Sequence, residues 1–297
     1  MNRYAVCQIA SRMGTFAADC ELAAAAGAAA IGVQFHTIAE IGLDEARRLL
    51  EQHGLAVSSA MTPFDPLPVE DFAAYVDAAR SLYADAGVIG SPALLVTAMR
   101  HDGLSYRELD RRVREQLAVL ADIAAAAGTR LALEPLHPVL HAMSYVHTLD
   151  HALDLIAGAP EAGIVLDTSH TWWDARVFDL LPGCMERVAT VQVADVPVES
   201  YENRQFLRGQ IGDGVIPLGE FLSITITGND GPTARNTMSP PLSFTLVRSI
   251  SHRYVVSAST PNAGPSARTP KTHGCDLYSD GESLPYPYAS VFQHSTR

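Results

Sequence analysis

The sequence predicts an α/β protein built as a (β/α)8 barrel, and three observations carry that prediction. Short apolar runs rich in β-branched residues alternate seven times with longer stretches of helical period, the pattern of successive βα units around a parallel sheet. Gly27, Gly54, Gly87 and Gly128 each follow an Ala- or Leu-rich stretch and precede a strand, where a left-handed helix stop is needed. Polar and ionisable residues gather where the fifth, sixth and seventh strands end, as a site on the C-terminal rim of a barrel requires. A doubly wound open sheet would alternate in a similar way, but Ser11-Arg12-Met13-Gly14-Thr15 does not supply its usual glycine-rich phosphate loop.

The first four strands are expected at residues 4–9, 30–35, 55–61 and 93–97, and the next three at 130–134, 163–167 and 188–193, with helices between them. Residues 219–222 read as the first turn of a seventh helix that fails to continue. Beyond residue 222 the composition changes, and 29 of the last 75 residues are Ser, Thr or Pro. The expected organisation is therefore a barrel over residues 1–222, lacking its normal eighth βα unit and open at the first and seventh strands. Residues 223–297 read as a polar tail, native or introduced by a frameshift or fusion. Its scant apolar periodicity does not offset the entropy of ordering, so poor order is expected.

The net charge of −12 repels phosphate backbones and anionic membranes, so neither nucleic acid nor a membrane is an expected partner. Cys7, Cys20, Cys184 and Cys275 show none of the paired spacings of zinc ribbons or redox dithiols and read as reduced thiols. No leader or bilayer-length apolar run is evident, so a cytoplasmic location is expected.

The chemistry-bearing residues lie after apolar strands. Leu131-Ala132-Leu133 runs into Glu134-Pro135-Leu136-His137-Pro138, and Ile164-Val165-Leu166 runs into Asp167-Thr168-Ser169-His170. Each strand thus delivers a carboxylate to the rim with a histidine three residues later. The next strand, Val191-Gln192-Val193-Ala194-Asp195, offers an amide oxygen at Gln192 with the Asp195 carboxylate behind it. Oxygen donors suit Mg2+ or Mn2+, and imidazole makes Mn2+, Co2+ or Zn2+ acceptable. Trp172 could wall a sugar ring, and Arg208 in the 208–217 loop offers a cation to a carboxylate, phosphate or polarised oxygen. His36 and His101 also reach the rim and are expected to have no role, and His53, His141, His147 and His151 read as surface residues.

Together these motifs resemble the sugar phosphate isomerase/epimerase group of the xylose isomerase-like barrels, over residues 1 to about 222. The resemblance implies one divalent metal, Mn2+ ahead of Mg2+, Co2+ or Zn2+, held by Glu134, Asp167 and Gln192. It implies Glu134, His170 and Arg208 as catalytic residues, with His137, Trp172 and Arg208 against a small sugar or polyol ketone. The implied reaction moves a proton next to a carbonyl through an enediolate; an inosose-type dehydratase is the alternative. A homodimer is left open. In this family a glutamate at the end of the eighth strand completes the metal site and the acid/base pair. No such strand end is evident here, since Glu282 lies in turn-like sequence, and a catalytically impaired protein is the third reading.

Overall fold

A computed structural model describes residues 4–11, 14–101, 103–202, 206–228 and 244–246. Eight parallel strands close into a barrel in sequence order: β1 (Tyr4–Cys7), β2 (Ala30–Gln34), β3 (Ala56–Met61), β4 (Ala93–Val96), β5 (Arg130–Leu133), β6 (Gly163–Asp167), β7 (Val188–Val193) and β8 (Phe244–Leu246). The helices, in chain order, are α1 (Gln8–Ser11), α2 (Phe16–Ala25), α3 (Phe35–Ile41), α4 (Leu43–His53), α5 (Phe72–Val88), α6 (Tyr106–Ala126), α7 (Leu149–Leu155), α8 (Thr168–Thr171), α9 (Val177–Cys184), α10 (Glu199–Glu202) and α11 (Leu218–Gly228). The first strand and the second end earlier than the sequence suggests, because Gln8 and Phe35 already begin helical turns.

Helices α2, α5, α6 and α7 start on side-chain caps from Thr15, Asp71, Ser105 and Thr148, each satisfying a backbone N–H that the first turn leaves without a partner. Gly27, Gly54 and Gly128 adopt the expected positive φ. Gly87 does not: it lies inside α5, and Gly90 makes the left-handed turn. The reason for glycine at 87 is packing, since a Cβ there would sit 2.0 Å from the carbonyl oxygen of Ala127.

The normal eighth βα unit is lacking, reduced among the described residues to a three-residue strand with no helix after it, but the expected open edge between the first and seventh strands is overturned. Three residues suffice to bridge the gap, Phe244, Thr245 and Leu246 pairing with Tyr4, Ala5 and Val6 on one side and with Val191, Gln192 and Val193 on the other. The barrel therefore has no open edge between β7 and β1. The helix read as failing after residue 222 also continues, to Gly228, because Phe221 and Thr225 are buried along it. The described residues form one compact unit. The rest of the expected tail, residues 229–243 and 247–297, lies outside the described residues.

Strand register sorts the side chains into two layers. Large apolar residues such as Leu94, Leu131, Leu133, Ile164 and Leu166 join the main core beneath the helices. Leu95, Ala132 and Val165 form a separate cluster, the lumen layer. Side chains alternate along a strand, so Glu134 lies on the side of Ala132 and Asp167 on the side of Val165. Gln192, the register partner of Asp167, faces the same way. The apolar layer thus carries the carboxylates into the mouth of the barrel.

Candidate active site

Glu134, Asp167 and His170 come together: one ligand atom from each lies within 4.8 Å of the others, and all three residues are buried. Asp167 is 0% exposed and fully engaged. Its Oδ1 accepts the Ser169 N–H and the Ser169 hydroxyl, both at 2.7 Å, and its Oδ2 accepts from Arg208 Nη2 at 3.1 Å. Burial pushes its carboxyl up, but His170, Arg208 and the two Ser169 donors outweigh that and hold it below the usual aspartate range.

Glu134 is 6% exposed, and among the described residues no N–H or O–H donates to its carboxylate; its nearest partner is His170 Nε2 at 3.8 Å. Burial and the neighbouring Asp167 charge push it up to about 8, against the opposing pull of Arg208. The Gln192 amide, 5% exposed, likewise has no hydrogen-bond partner among the described residues. Two oxygen-bearing groups thus stand in the mouth with lone pairs uncommitted among the described residues, open to a proton, a cation or a substrate.

His170 accepts the His137 backbone N–H at Nδ1, 3.3 Å away, and its Nε2 lies 3.0 Å from Arg208 Nη2. Burial pushes its imidazole down to about 3, with Arg208 and His137 adding to the effect and Asp167 opposing it. It is therefore neutral, and Arg208 is the lasting countercharge to Asp167. The Arg208 guanidinium also donates from Nε to Ser169 Oγ at 3.2 Å.

Phe206, which the sequence reading did not single out, lies parallel to the His170 ring at 4.9 Å. Arg208 sits over the Phe206 ring at 5.2 Å, and His137 flanks it at 5.5 Å. Its only sequence signal was its place two residues before Arg208. Trp172 packs against the main core. Trp173 is the indole on the His137 side, 5.9 Å from that ring, with its Nε1 donating to the His170 carbonyl at 2.8 Å. His36 is exposed. His147 and His151, expected as surface residues, are half-buried and bonded to the Leu136 carbonyl and to Asp110.

Asp195 organises the loop that carries Arg208. Its Oδ1 accepts the N–H groups of Val196 and Ile216, and its Oδ2 those of Gly212 and Gly214. Gly214 is required there, since a Cβ would lie 2.2 Å from Asp195 Oδ1.

The donor set suits a divalent cation: two carboxylates, with Gln192 and His170 beside them, offer the oxygen and imidazole ligands that Mn2+ or Zn2+ accept. The eighth strand adds no carboxylate. It reads Phe244-Thr245-Leu246, with Thr245 level with Gln192.

A closed barrel whose rim presents carboxylates from adjacent strands defines the class of a rim-site (β/α)8 protein. The profile of the xylose isomerase-like TIM barrel family matches residues 20–232, and the chain belongs to that family. Among solved structures, protein SMc04130 from Sinorhizobium meliloti 1021 is similar at TM-score 0.68 and 25% identity, over 82% of this chain and 88% of that one. The IolI protein, solved with a bound zinc atom, is similar at TM-score 0.66 and 15% identity, over 83% and 89%. The 3-keto-D-glucoside 4-epimerase of E. coli is similar at TM-score 0.67 and 15% identity, over 85% and 94%. The last two likenesses are of fold. No curated protein sequence matches the chain. Among the described residues no helix is long and apolar enough to cross a membrane.

Proposed function

We propose that the chain is a metal-dependent isomerase or epimerase of a small ketose, moving a proton next to the carbonyl through an enediolate. The observation that carries this reading is Glu134: a buried carboxylate to which no N–H or O–H among the described residues donates, pushed up to about 8 in the metal-free chain, so that its lone pairs are free for a cation or for a proton. Asp167 is the permanently ionised partner, and the environments of the two carboxylates separate their tasks. Glu134, Asp167 and Gln192 would hold the divalent ion, with His170 adjacent. When bound, that ion would supply electrophilic stabilisation of neighbouring substrate oxygens.

The rest falls to the chain's own side chains. Glu134 removes the proton on the carbon beside the carbonyl. Neutral His170, pinned at Nδ1 by the His137 N–H, orients a substrate oxygen. Arg208 lies next to the developing negative charge, where a fixed cation stabilises it. Phe206, His137 and Trp173 form an aromatic flank that limits water. That IolI holds zinc and that a fold relative is a keto-sugar epimerase agree with this reading. A dehydratase is the second reading, favoured by Glu134 being uncommitted beside a paired Asp167, because elimination needs a single base.

The test is Mn2+ titration of the full chain followed by ketose hydrogen exchange in 2H2O, with Glu134→Gln as control. Stoichiometric binding weakened by the substitution is expected. Exchange is expected to fall by about 10^2 to 10^4. Loss of water instead of exchange would select the dehydratase, and no binding would make the chain a barrel without a working metal site.

A further inference from the structure

We propose that the Cys7 thiol is the second proton-transfer group of this site, facing the substrate carbon from the side opposite Glu134. The inference rests on the isomerase/epimerase reading above and asks how this chain could invert a carbon. Inversion needs a proton to leave one face and another to arrive at the opposite face. Glu134 serves one face. Asp167 does not serve the other, because Ser169 and Arg208 hold it ionised, and β8 brings no carboxylate.

Cys7 stands where that second group is needed. In the closed order β1 to β8, β1 lies across the barrel from β5. Ala5 is level with Thr245, Thr245 with Gln192, and Gln192 with Asp167. That register puts Ala5 on the lumen side, and Cys7, two residues on, shares its face. Consistent with this, Cys7 packs with Ala10 and Ala194 rather than with the core under the helices. Its thiol feels the charges of Arg208, Asp167 and Glu134, which places it in the same mouth. It is not a member of the Glu134, Asp167 and His170 group, so its sulfur does not lie within 4.8 Å of all three ligand atoms. The buried Glu134 carboxylate without a donor is the independent sign that a reacting group is meant to lie between them.

Burial keeps the thiol protonated, pushed up to about 11, which suits a donor. In the step, Glu134 takes the proton of the C–H bond and its electron pair becomes the enediolate double bond. That double bond then takes the S–H proton on its other face, forming the new C–H bond and leaving a thiolate. Burial and the Asp167 charge disfavour that thiolate while the Ile9 N–H and the Arg208 charge oppose them, so it is short-lived. Water reprotonates it, and Glu134 releases its proton to water, so no further reactant is required.

The experiment compares the full-length Mn2+-loaded chain with Cys7→Ala and Cys7→Ser on D-fructose, D-tagatose and L-ribulose in 2H2O, following deuterium and configuration by NMR. The wild type is expected to give an epimer carrying one deuterium at the inverted carbon. In Cys7→Ala, Glu134 continues to exchange hydrogen with retention while inversion falls about a hundredfold. Cys7→Ser, with a weaker acid of the same shape, is expected to fold normally and to show the same split. An inversion-to-exchange ratio unchanged in both variants would overturn the role of Cys7 and leave the isomerase reading standing. No exchange of any ketose hydrogen by the wild type would overturn that reading, and the proposal with it.

Discussion

The two strand ends that carry the carboxylates look alike in sequence and behave oppositely. Each has an acid followed three residues later by a histidine, Glu134 to His137 and Asp167 to His170. Between the second pair lie Thr168 and Ser169, and Ser169 turns back with both its N–H and its hydroxyl onto the acid. Between the first pair lie Pro135, which has no N–H to give, and Leu136, whose N–H goes to the Val146 carbonyl. The His137 N–H is spent on His170. Two intervening residues thus decide that one carboxylate is held ionised and the other left free to take a proton.

The largest test of this contrast is the pH dependence of stability in the chelator-treated chain. Glu134 is raised from 4.5 to about 8, so between those values the folded chain keeps a proton that the unfolded chain has lost. Stability therefore falls as pH rises from 4.5 through 8. The change would be at most about 5 kcal/mol, and denaturant melts across that window would measure it. Glu134→Gln should flatten the slope and stabilise the metal-free chain at pH 8; a variant no more stable than wild type there would break the contrast. Asp167, being lowered, acts in the other direction: its contribution is present above the unfolded aspartate pKa and is lost as pH falls through the folded one.

Asp167→Asn, by contrast, should destabilise at neutral pH by about 2 kcal/mol. It leaves the guanidinium of Arg208, 24% exposed, without its counterion in a mostly buried setting. Chemical denaturation at pH 7 measures it, and equal signs for the Asp167 and Glu134 substitutions would show that the two carboxylates are not differently used.

Much of this was legible in the sequence because it is local. Strands four to seven, the carboxylates at their ends and the closing glycines follow from alternation and helix-stop chemistry within short windows. The missed features depend on non-local partners. Gly87 looked like a helix stop, yet it answers to the Ala127 carbonyl of the next helix. The strand Phe244–Leu246 is too short for a period-two signal and is defined by the two strands it joins. Phe206 gains meaning only from the His170 ring under it, and Cys7 only from register around the closed sheet. Trp172 and Trp173 could not be told apart by type, because which indole faces the core is set by where α8 ends.

The smallest effect separates the two carboxylates most directly. Ser169→Ala keeps the backbone N–H on Asp167 but removes the hydroxyl that donates to Oδ1 and accepts from Arg208 Nε. Losing those hydrogen bonds should cost about 1 kcal/mol of stability and raise the Asp167 carboxyl toward its ordinary range. Arg208, still held to Oδ2, keeps the ion pair, so the fold and the Glu134 behaviour should be unchanged. Mn2+ affinity, measured by titration near pH 4 and again near pH 8, should weaken relative to wild type at the lower pH and recover at the higher, since only the protonation of Asp167 has shifted. Equal weakening at both values would mean that Ser169 shapes the ligand geometry and does not set which of the two acids is ionised.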